Sequence, residues 1–238
     1  MKEFRHGLRH GISIALGYLS VSFSFGILAV QSGMTVWQAV LISITNLTSA
    51  GQVAGVGLIA ADATYLELFL TELIINIRYA LMSLALSQKA DASFRFPQRL
   101  LASYGITDEI FAVSSVQPGT IRPFYLYGMI LIAFCGWVFG TYLGAAAGML
   151  LPHQISDALG IALYGMFLAI IIPPARKSRG ILVAILLSAA CSTLLYYCIK
   201  SITSGFAMIL SAVLAAVVAA ILFPAPSQNQ TEQEASAV

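Results

Sequence analysis

"PFYLYGMILIAFCGWVFGTYLGAAAGML", residues 123–150, contains no Asp, Glu, Lys, Arg or His. A helix needs about 20 predominantly apolar residues to cross the roughly 30 Å hydrocarbon core of a bilayer. The strands of a membrane β-barrel would show short alternating patterns instead of one continuous apolar run. This stretch therefore predicts a transmembrane α-helix.

The rest of the chain has the same character. It has 238 residues, 59% of them hydrophobic and 9% charged, with a mean hydropathy of +0.88. Soluble domains are only about 45–50% apolar and about 25% charged. A net charge of +2 without a long basic run gives no indication of nucleic-acid binding. We therefore predict an all-α polytopic bundle in a lipid bilayer, with six to eight membrane segments. The candidate segments are 11–30, 37–60, 64–87, 99–117, 123–150, 155–174, 180–199 and 205–223.

Two of these segments are poor continuous helices. "GYLSVSFSFG" (17–26) places three serines between glycines, and "SYGITDEIFAVSSV" (103–116) holds two acids and a glycine. We expect segments 11–30 and 99–117 to be broken or re-entrant, which is tolerated where backbone lines a cavity. Because each precedes two ordinary spans, an inverted three-plus-three repeat is a possible arrangement. Residues 1–223 would form one domain, and the polar tail 224–238 would be disordered.

The basic residues bear on topology. One loop holds Lys89, Arg95 and Arg99, the next holds Arg122, and another runs from Arg176 to Arg179. The positive-inside rule favours a cytoplasmic place for all three. Eight full crossings from a cytoplasmic N-terminus would put the 88–99 loop outside. The conflict eases if segments 1 and 4 enter the membrane and return.

"TELIINIRYALMS" (71–83) carries most of the polar groups of its span. Glu72, Asn76 and Tyr79 share one helix face, while Arg78 lies about 120° from Glu72. A charge at this depth costs at least about 2.5–3.5 kcal/mol, so Arg78 needs a partner or a wet cavity. Two interpretations remain open: a buried pair that fastens two helices, or a residue lining a substrate path.

"GITDEIFA" (105–112) offers the partner. Thr107 can cap a helix whose first turn holds Asp108 and Glu109, where the helix dipole favours anions. Plain capping near the membrane surface is the alternative. We expect Asp108 or Glu109 to face Arg78.

Further polar groups lie in two other segments. "NLTSAGQVAGVG" (46–57) includes Gln52, and "SFSFG" (22–26) includes Ser22 and Ser24. Backbone amides at a helix break could bind a ligand carboxylate. The same small and polar residues could equally serve helix packing.

Glycine recurs every fourth residue in "GWVFGTYLGAAAG". This spacing predicts a small-residue ridge for close packing against another helix of this chain or a partner. The ridge residues are Gly136, Gly140, Gly144 and Gly148.

Catalytic and metal-binding patterns are missing from the sequence. Cys135, Cys191 and Cys198 have no histidine nearby, and the three histidines lie outside the predicted spans. A nucleotide loop, a zinc signature and a nucleophile elbow are all absent. We therefore expect no enzyme, no cofactor and no metal.

Together these motifs resemble the AzlC family of branched-chain amino acid permeases, from about Gly7 to Phe223. The matching pieces are "SFSFGILA", "SAGQVAG", "NIRYALMS", "GITDEIFA" and "GWVFGTYLGA". One departure is Leu47, where family members tend to carry an aromatic residue, and another is Val53. This departure leaves open a substrate different from the family's.

The resemblance implies an inner-membrane exporter of leucine, isoleucine or valine. It also implies a small four-span membrane partner of the AzlD type. From the residues, we expect a secondary transporter of a zwitterion in which Arg78 serves the carboxylate and Asp108, Glu109 or Glu72 the ammonium or a coupling proton. A membrane scaffold or regulatory subunit, and a transporter of another small zwitterion, are the alternatives.

Overall fold

The computed structural model describes residues 2–150, 165, 168, 171–199 and 202–224. The chain divides into two compact units, Met1–Met166 and Phe167–Val238, and each is described by itself. Most of predicted segment 155–174 lies outside the described residues. So does the predicted disordered tail, apart from Pro224.

The described residues are overwhelmingly helical, which confirms the all-α prediction. Among these residues, five helices are long and apolar enough to cross a membrane: Lys2–Gln31, Tyr65–Ser87, Pro123–Gly148, Arg179–Cys198 and Gly205–Leu222. Val36–Thr45 and Ser49–Ala60 are shorter apolar helices. The first unit contains α1 (Lys2–Gln31), α2 (Val36–Thr45), α3 (Ser49–Ala60), α4 (Tyr65–Ser87), α5 (Phe96–Tyr104), α6 (Asp108–Ser115) and α7 (Pro123–Gly148). The second contains α8 (Arg179–Cys198) and α9 (Ser204–Leu222).

Helices α1 and α7 pack side by side in parallel and form the centre of the first unit. Close approaches advance in the same direction along both helices, from Gly7 against Tyr125 to Ile27 against Gly148. The glycine ridge of α7 faces α1, where a Cβ on Gly136 would lie 2.5 Å from the carbonyl oxygen of Ala15. Both helices therefore cross the unit in the same sense. We call the end that holds their N-termini the N-terminal face.

The prediction that segment 11–30 is broken is wrong. Helix α1 continues from Lys2 to Gln31. Its serines close hydrogen bonds within the helix, since Ser22 Oγ donates to the Tyr18 carbonyl at 2.7 Å and Ser24 Oγ to the Ser20 carbonyl at 3.4 Å. Helix α1 begins at Lys2 and therefore contains His6 and His10. Both histidines precede the predicted segment 11–30.

The break lies in the second segment instead, between α2 and α3. Residues 46–48 are extended, and the two helices form hairpin 1 (36–60). Val36 at its start and Val56 near its end pack on the same cluster around Phe25 and Ala145. These neighbours lie in the C-terminal halves of α1 and α7. Hairpin 1 therefore enters from the opposite face and returns to it.

Segment 99–117 is broken as predicted, at residues 105–107. Helices α5 and α6 form hairpin 2 (96–115), which enters from the N-terminal face and returns there. Lys89, after the end of α4, donates through Nζ to the carbonyls of Ser115 and Gln117 at 2.7 Å each. Arg122 at the start of α7 lies 3.6 Å from the carboxylate of Glu3. The ends of α4 and hairpin 2 thus meet the N-termini of α1 and α7.

The tips of the two hairpins meet midway along α1 and α7. The Tyr104 hydroxyl donates to the Ile44 carbonyl. Leu47 and Ile106, one from each tip, belong to one buried cluster with Trp137. A crossing helix followed by a hairpin therefore occurs twice in opposite senses, as α1 with hairpin 1 and α4 with hairpin 2. Segments 2 and 4 turn back, instead of segments 1 and 4.

The second unit pairs α8 with α9. Ser178 caps α8 by accepting a hydrogen bond from the Ile181 amide at 3.4 Å. Gly180, at the start of α8, lies against Phe223, just after the end of α9. The two helices are therefore antiparallel neighbours.

Candidate functional site

An ion pair joins α4 to the tip of hairpin 2. Arg78 Nη1 lies 2.7 Å from Asp108 Oδ2 and 2.8 Å from Oδ1. Both side chains are 41% exposed. The structure thus brings together the cation and one of the two acids that the sequence analysis expected to face it. Since a half-exposed pair can still meet a ligand, it is the centre of the candidate site.

Asp108 takes its position from the break before α6. Thr107 caps α6, with its hydroxyl accepting a hydrogen bond from the Ile110 amide at 3.4 Å. Asp108 is the first residue of α6, where the helix dipole stabilises a carboxylate. On the other side, Arg78 Nη2 donates to the Tyr79 hydroxyl at 3.0 Å. The guanidinium is thereby oriented from two directions.

Glu109 has a different partner, Tyr18 of α1. The Tyr18 hydroxyl donates to Glu109 Oε2 at 2.5 Å and also contacts the Thr107 hydroxyl. The ring of Tyr18 packs edge-on against Trp137 of α7, with 5.1 Å between the ring centroids. Hairpin 2 is thus attached to the central helices through Glu109. The two adjacent acids of α6 have separate roles, one on Arg78 and one on Tyr18.

Glu72 and Asn76 form a second polar group, against hairpin 1. Asn76 Nδ2 donates to Glu72 Oε2 at 2.7 Å, and Asn46 Nδ2 donates to the same oxygen at 3.4 Å. A Cβ on Gly51 would lie 2.6 Å from this oxygen, so glycine lets the carboxylate approach the first turn of α3. The start of α3, expected as a place for a ligand carboxylate, therefore faces the protein's own carboxylate. Asn76 Oδ1 is buried and has no hydrogen-bond partner among the described residues.

Gln52 lies in a buried network instead of an open site. It is 1% exposed. Its Nε2 donates to Ser43 Oγ at 2.9 Å, and its Oε1 accepts from Trp137 Nε1 at 2.9 Å. Ser43 in turn shares a 2.7 Å hydrogen bond with Thr141. The network fastens hairpin 1 to α7 and leaves Gln52 out of reach of a ligand.

Ser22 and Ser24 are also enclosed. Ser22 is 0% and Ser24 7% exposed, and both hydroxyls are bonded within α1. Neither is brought next to the Arg78–Asp108 pair by any hydrogen bond in the described chain.

Tyr18, Trp137 and the buried threonine Thr71 were not among the predicted site residues. Tyr18 and Trp137 looked like ordinary aromatic residues of apolar runs, and their partners lie about 90 residues away. Thr71 is 1% exposed, and its hydroxyl has no hydrogen-bond partner among the described residues. Its position seven residues before Arg78, which puts both side chains on one side of α4, was the available signal. Among the described residues, no group of three His, Cys, Asp or Glu side chains could hold a metal ion.

Comparison with known proteins agrees with the motifs. The model of the family described as AzlC protein matches residues 13–151. This range covers most of α1 and all of the two hairpins, α4 and α7.

Three relatives share much of the chain. An uncharacterized membrane protein of Archaeoglobus fulgidus is 33% identical over 175 residues, covering 71% of this chain and 75% of the relative. An uncharacterized membrane protein of Helicobacter pylori is 27% identical, covering 68% and 70%. Inner membrane protein YgaZ of Escherichia coli is 24% identical, covering 79% of each chain. No solved structure gives a significant match.

Proposed function

We propose, on the premise that this chain belongs to the AzlC family, that it exports branched-chain amino acids as a secondary transporter. The chain is a membrane protein of that family and is consistent with a transporter, since AzlC is a permease family and not a class of enzymes. Export, the branched-chain substrate and the inner membrane are the specific parts of the proposal.

The Arg78–Asp108 pair carries the proposal. A zwitterionic amino acid has a carboxylate that can replace Asp108 on Arg78, and an ammonium that can bind the carboxylate released. Asn76 lies on another side of α4, beside Glu72 and hairpin 1, where its buried Oδ1 has no hydrogen-bond partner in the described chain. The pair lies beside a helix break within the first unit, and ligand sites of secondary transporters commonly use broken helices. Tyr79 and Thr107 keep the two charged groups in place, and Glu72 and Glu109 are candidates for a coupling proton.

Orientation follows from the charges of the first unit. The N-terminal face carries Lys2, Arg5, Arg9, Lys89, Arg95 and Arg122. The loops at the opposite face, residues 32–35 and 61–64, contain no Lys or Arg. By the positive-inside rule the N-terminal face is cytoplasmic. Two returning hairpins remove the conflict that eight full crossings created for the 88–99 loop.

A small four-span partner of the AzlD type is part of the proposal. Helix α4 holds the most polar span of the first unit, yet few of its residues are buried: Glu67, Thr71 and Leu86. Its outer side presents large apolar residues, among them Leu66, Phe69, Leu73 and Leu81. A second membrane chain packed there would shield Arg78 and Asp108 from lipid, where charges are costly.

The scaffold alternative loses one of its supports. The glycine ridge, which could have been an interface for a partner, is occupied by α1 of the same chain.

Counterflow of leucine, isoleucine and valine in proteoliposomes tests the proposal. The chain would be reconstituted alone and with its candidate partner. Arg78→Ala should abolish counterflow, whereas Arg122→Ala, which removes a 60% exposed cation paired with Glu3, should retain it. Folding of each variant is checked by monodisperse elution in detergent. Absence of branched-chain counterflow in the folded wild type with its partner would refute the proposed substrate. Equal rates in wild type and folded Arg78→Ala would refute the proposed site.

A further inference from the structure

A cavity opens between the C-terminal half of α4 and hairpin 2. Its volume is about 140 Å³. Its wall is apolar and firmly packed, because six lining residues are at most 9% exposed. These residues are Leu86, Phe94, Ala102, Ile106, Ile121 and Leu126.

One cation, three hydroxyls and the small side chain of Ala90 complete the lining. Arg99 of α5 contributes its side chain, with only a long 3.5 Å hydrogen bond from Nε to the Phe94 carbonyl. No acidic side chain forms a salt bridge with Arg99 in the described part of the chain. Ser83, Ser87 and Ser103 supply the hydroxyls, of which those of Ser87 and Ser103 donate to carbonyls of their own helices. The described lining residues include no Asp or Glu. The cavity thus offers groups for an anion and for an apolar body, and no carboxylate for an ammonium.

The size of the cavity limits the ligand. An apolar protein cavity of roughly 150 Å³ can take up benzene, a molecule of about six carbons. The cavity beside Arg99 is of similar size. A branched group of four to six carbons therefore fits, whereas a full lipid acyl chain does not.

We propose that this cavity binds a short aliphatic carboxylate, with its carboxylate on Arg99 and its hydrocarbon part against Ala102 and Ile106. A ligand that lacks an amino group would bind as well as one that carries it. The site is separate from the Arg78–Asp108 pair, and its existence does not depend on the proposed transport. It is nevertheless placed to influence that pair, because α4 carries Arg78 and hairpin 2 carries Asp108.

Binding of labelled 4-methylpentanoate to the purified full chain in nanodiscs of zwitterionic lipid tests the proposal. We expect saturable binding that weakens about tenfold or more in Arg99→Gln, since a charge-assisted hydrogen bond is lost. Ala102→Leu fills the cavity and should weaken binding of 4-methylpentanoate to a similar extent. Matched controls outside the lining, Arg95→Gln at the N-cap of α5 and Ala80→Leu on α4, should bind like wild type.

A second comparison needs no variant. Unlabelled 4-methylpentanamide, which has the same shape without the charge, should fail to compete with the carboxylate on the wild-type chain. Competition by the amide equal to that by unlabelled carboxylate would overturn the role of Arg99. Displacement by hexadecanoate at lower concentration than by 4-methylpentanoate would assign the cavity to lipid and overturn the proposal. Absence of saturable binding would also refute it, and counterflow through Arg78 could still be intact.

Discussion

Gly144→Ala tests the parallel packing of α1 and α7. A Cβ at this position would lie 2.6 Å from the carbonyl carbon and 2.8 Å from the Cα of Phe23, besides contacting its carbonyl oxygen. All of these are backbone atoms of a helix, which cannot rotate away, so the helices must separate. Overpacking of this kind costs about 1–3 kcal/mol.

The matched control is Gly17→Ala in α1, where an added Cβ meets no atom of the described residues within 4 Å. Both substitutions gain the same helix propensity, about 0.5–1 kcal/mol, so their difference isolates the packing cost. Taking roughly 2 kcal/mol, we expect Gly144→Ala to melt about 4–8 °C below Gly17→Ala.

Gly148→Ala should fall between these variants, because its Cβ would lie 3.3 Å from the Cα of Ile27. Melting is followed by circular dichroism of the purified proteins in one detergent. A Gly144→Ala protein that melts at or above Gly17→Ala would show that α1 and α7 are not packed as described.

Three further outcomes are expected. Gln52→Leu leaves the Trp137 indole N–H buried without its acceptor, and unfolding measurements should show a loss of about 1–3 kcal/mol. Lys89→Met removes the side chain that caps the C-terminal end of α6, and faster amide exchange confined to hairpin 2 should follow; unchanged exchange there would contradict this role. Cysteines placed at Ser93 and Ser32 in a cysteine-free chain should react with an impermeant thiol reagent from opposite sides of the membrane; labelling of both from one side would contradict the two-hairpin path.

Apolar length predicted the crossing helices well but could not recognise hairpin 1. Segment 37–60 is as long as a single crossing, and two half-helices joined by three extended residues have the same length and composition. The difference lies in contacts to α1 and α7, which are distant in sequence. Conversely, serines suggested a break in α1, yet a serine hydroxyl can bond to the preceding turn and leave the helix intact.

The candidate site, like the fold, was predicted from the sequence only in part. Arg78 was recognisable because an isolated charge in an apolar run must find a partner, and α6 offered acids at a predicted helix start. Gln52 looked equally suited to a ligand, since an amide side chain gives no sign of whether it binds substrate or an indole. Its partner Trp137 is 85 positions away in sequence. The sequence pattern could not predict hydrogen bonds between residues so far apart in the chain.

The meeting of the two hairpin tips has an electrical consequence. Where Leu47 and Ile106 pack together, two half-spans meet end to end, instead of one helix crossing the roughly 30 Å of hydrocarbon. An ion that passes this meeting point from one side of the membrane to the other exchanges about 2.3 kcal/mol per elementary charge per 100 mV. A zwitterion has no net charge and would pass the same point without electrical work, so any voltage dependence of transport would report the movement of a coupled ion or of Arg78 itself.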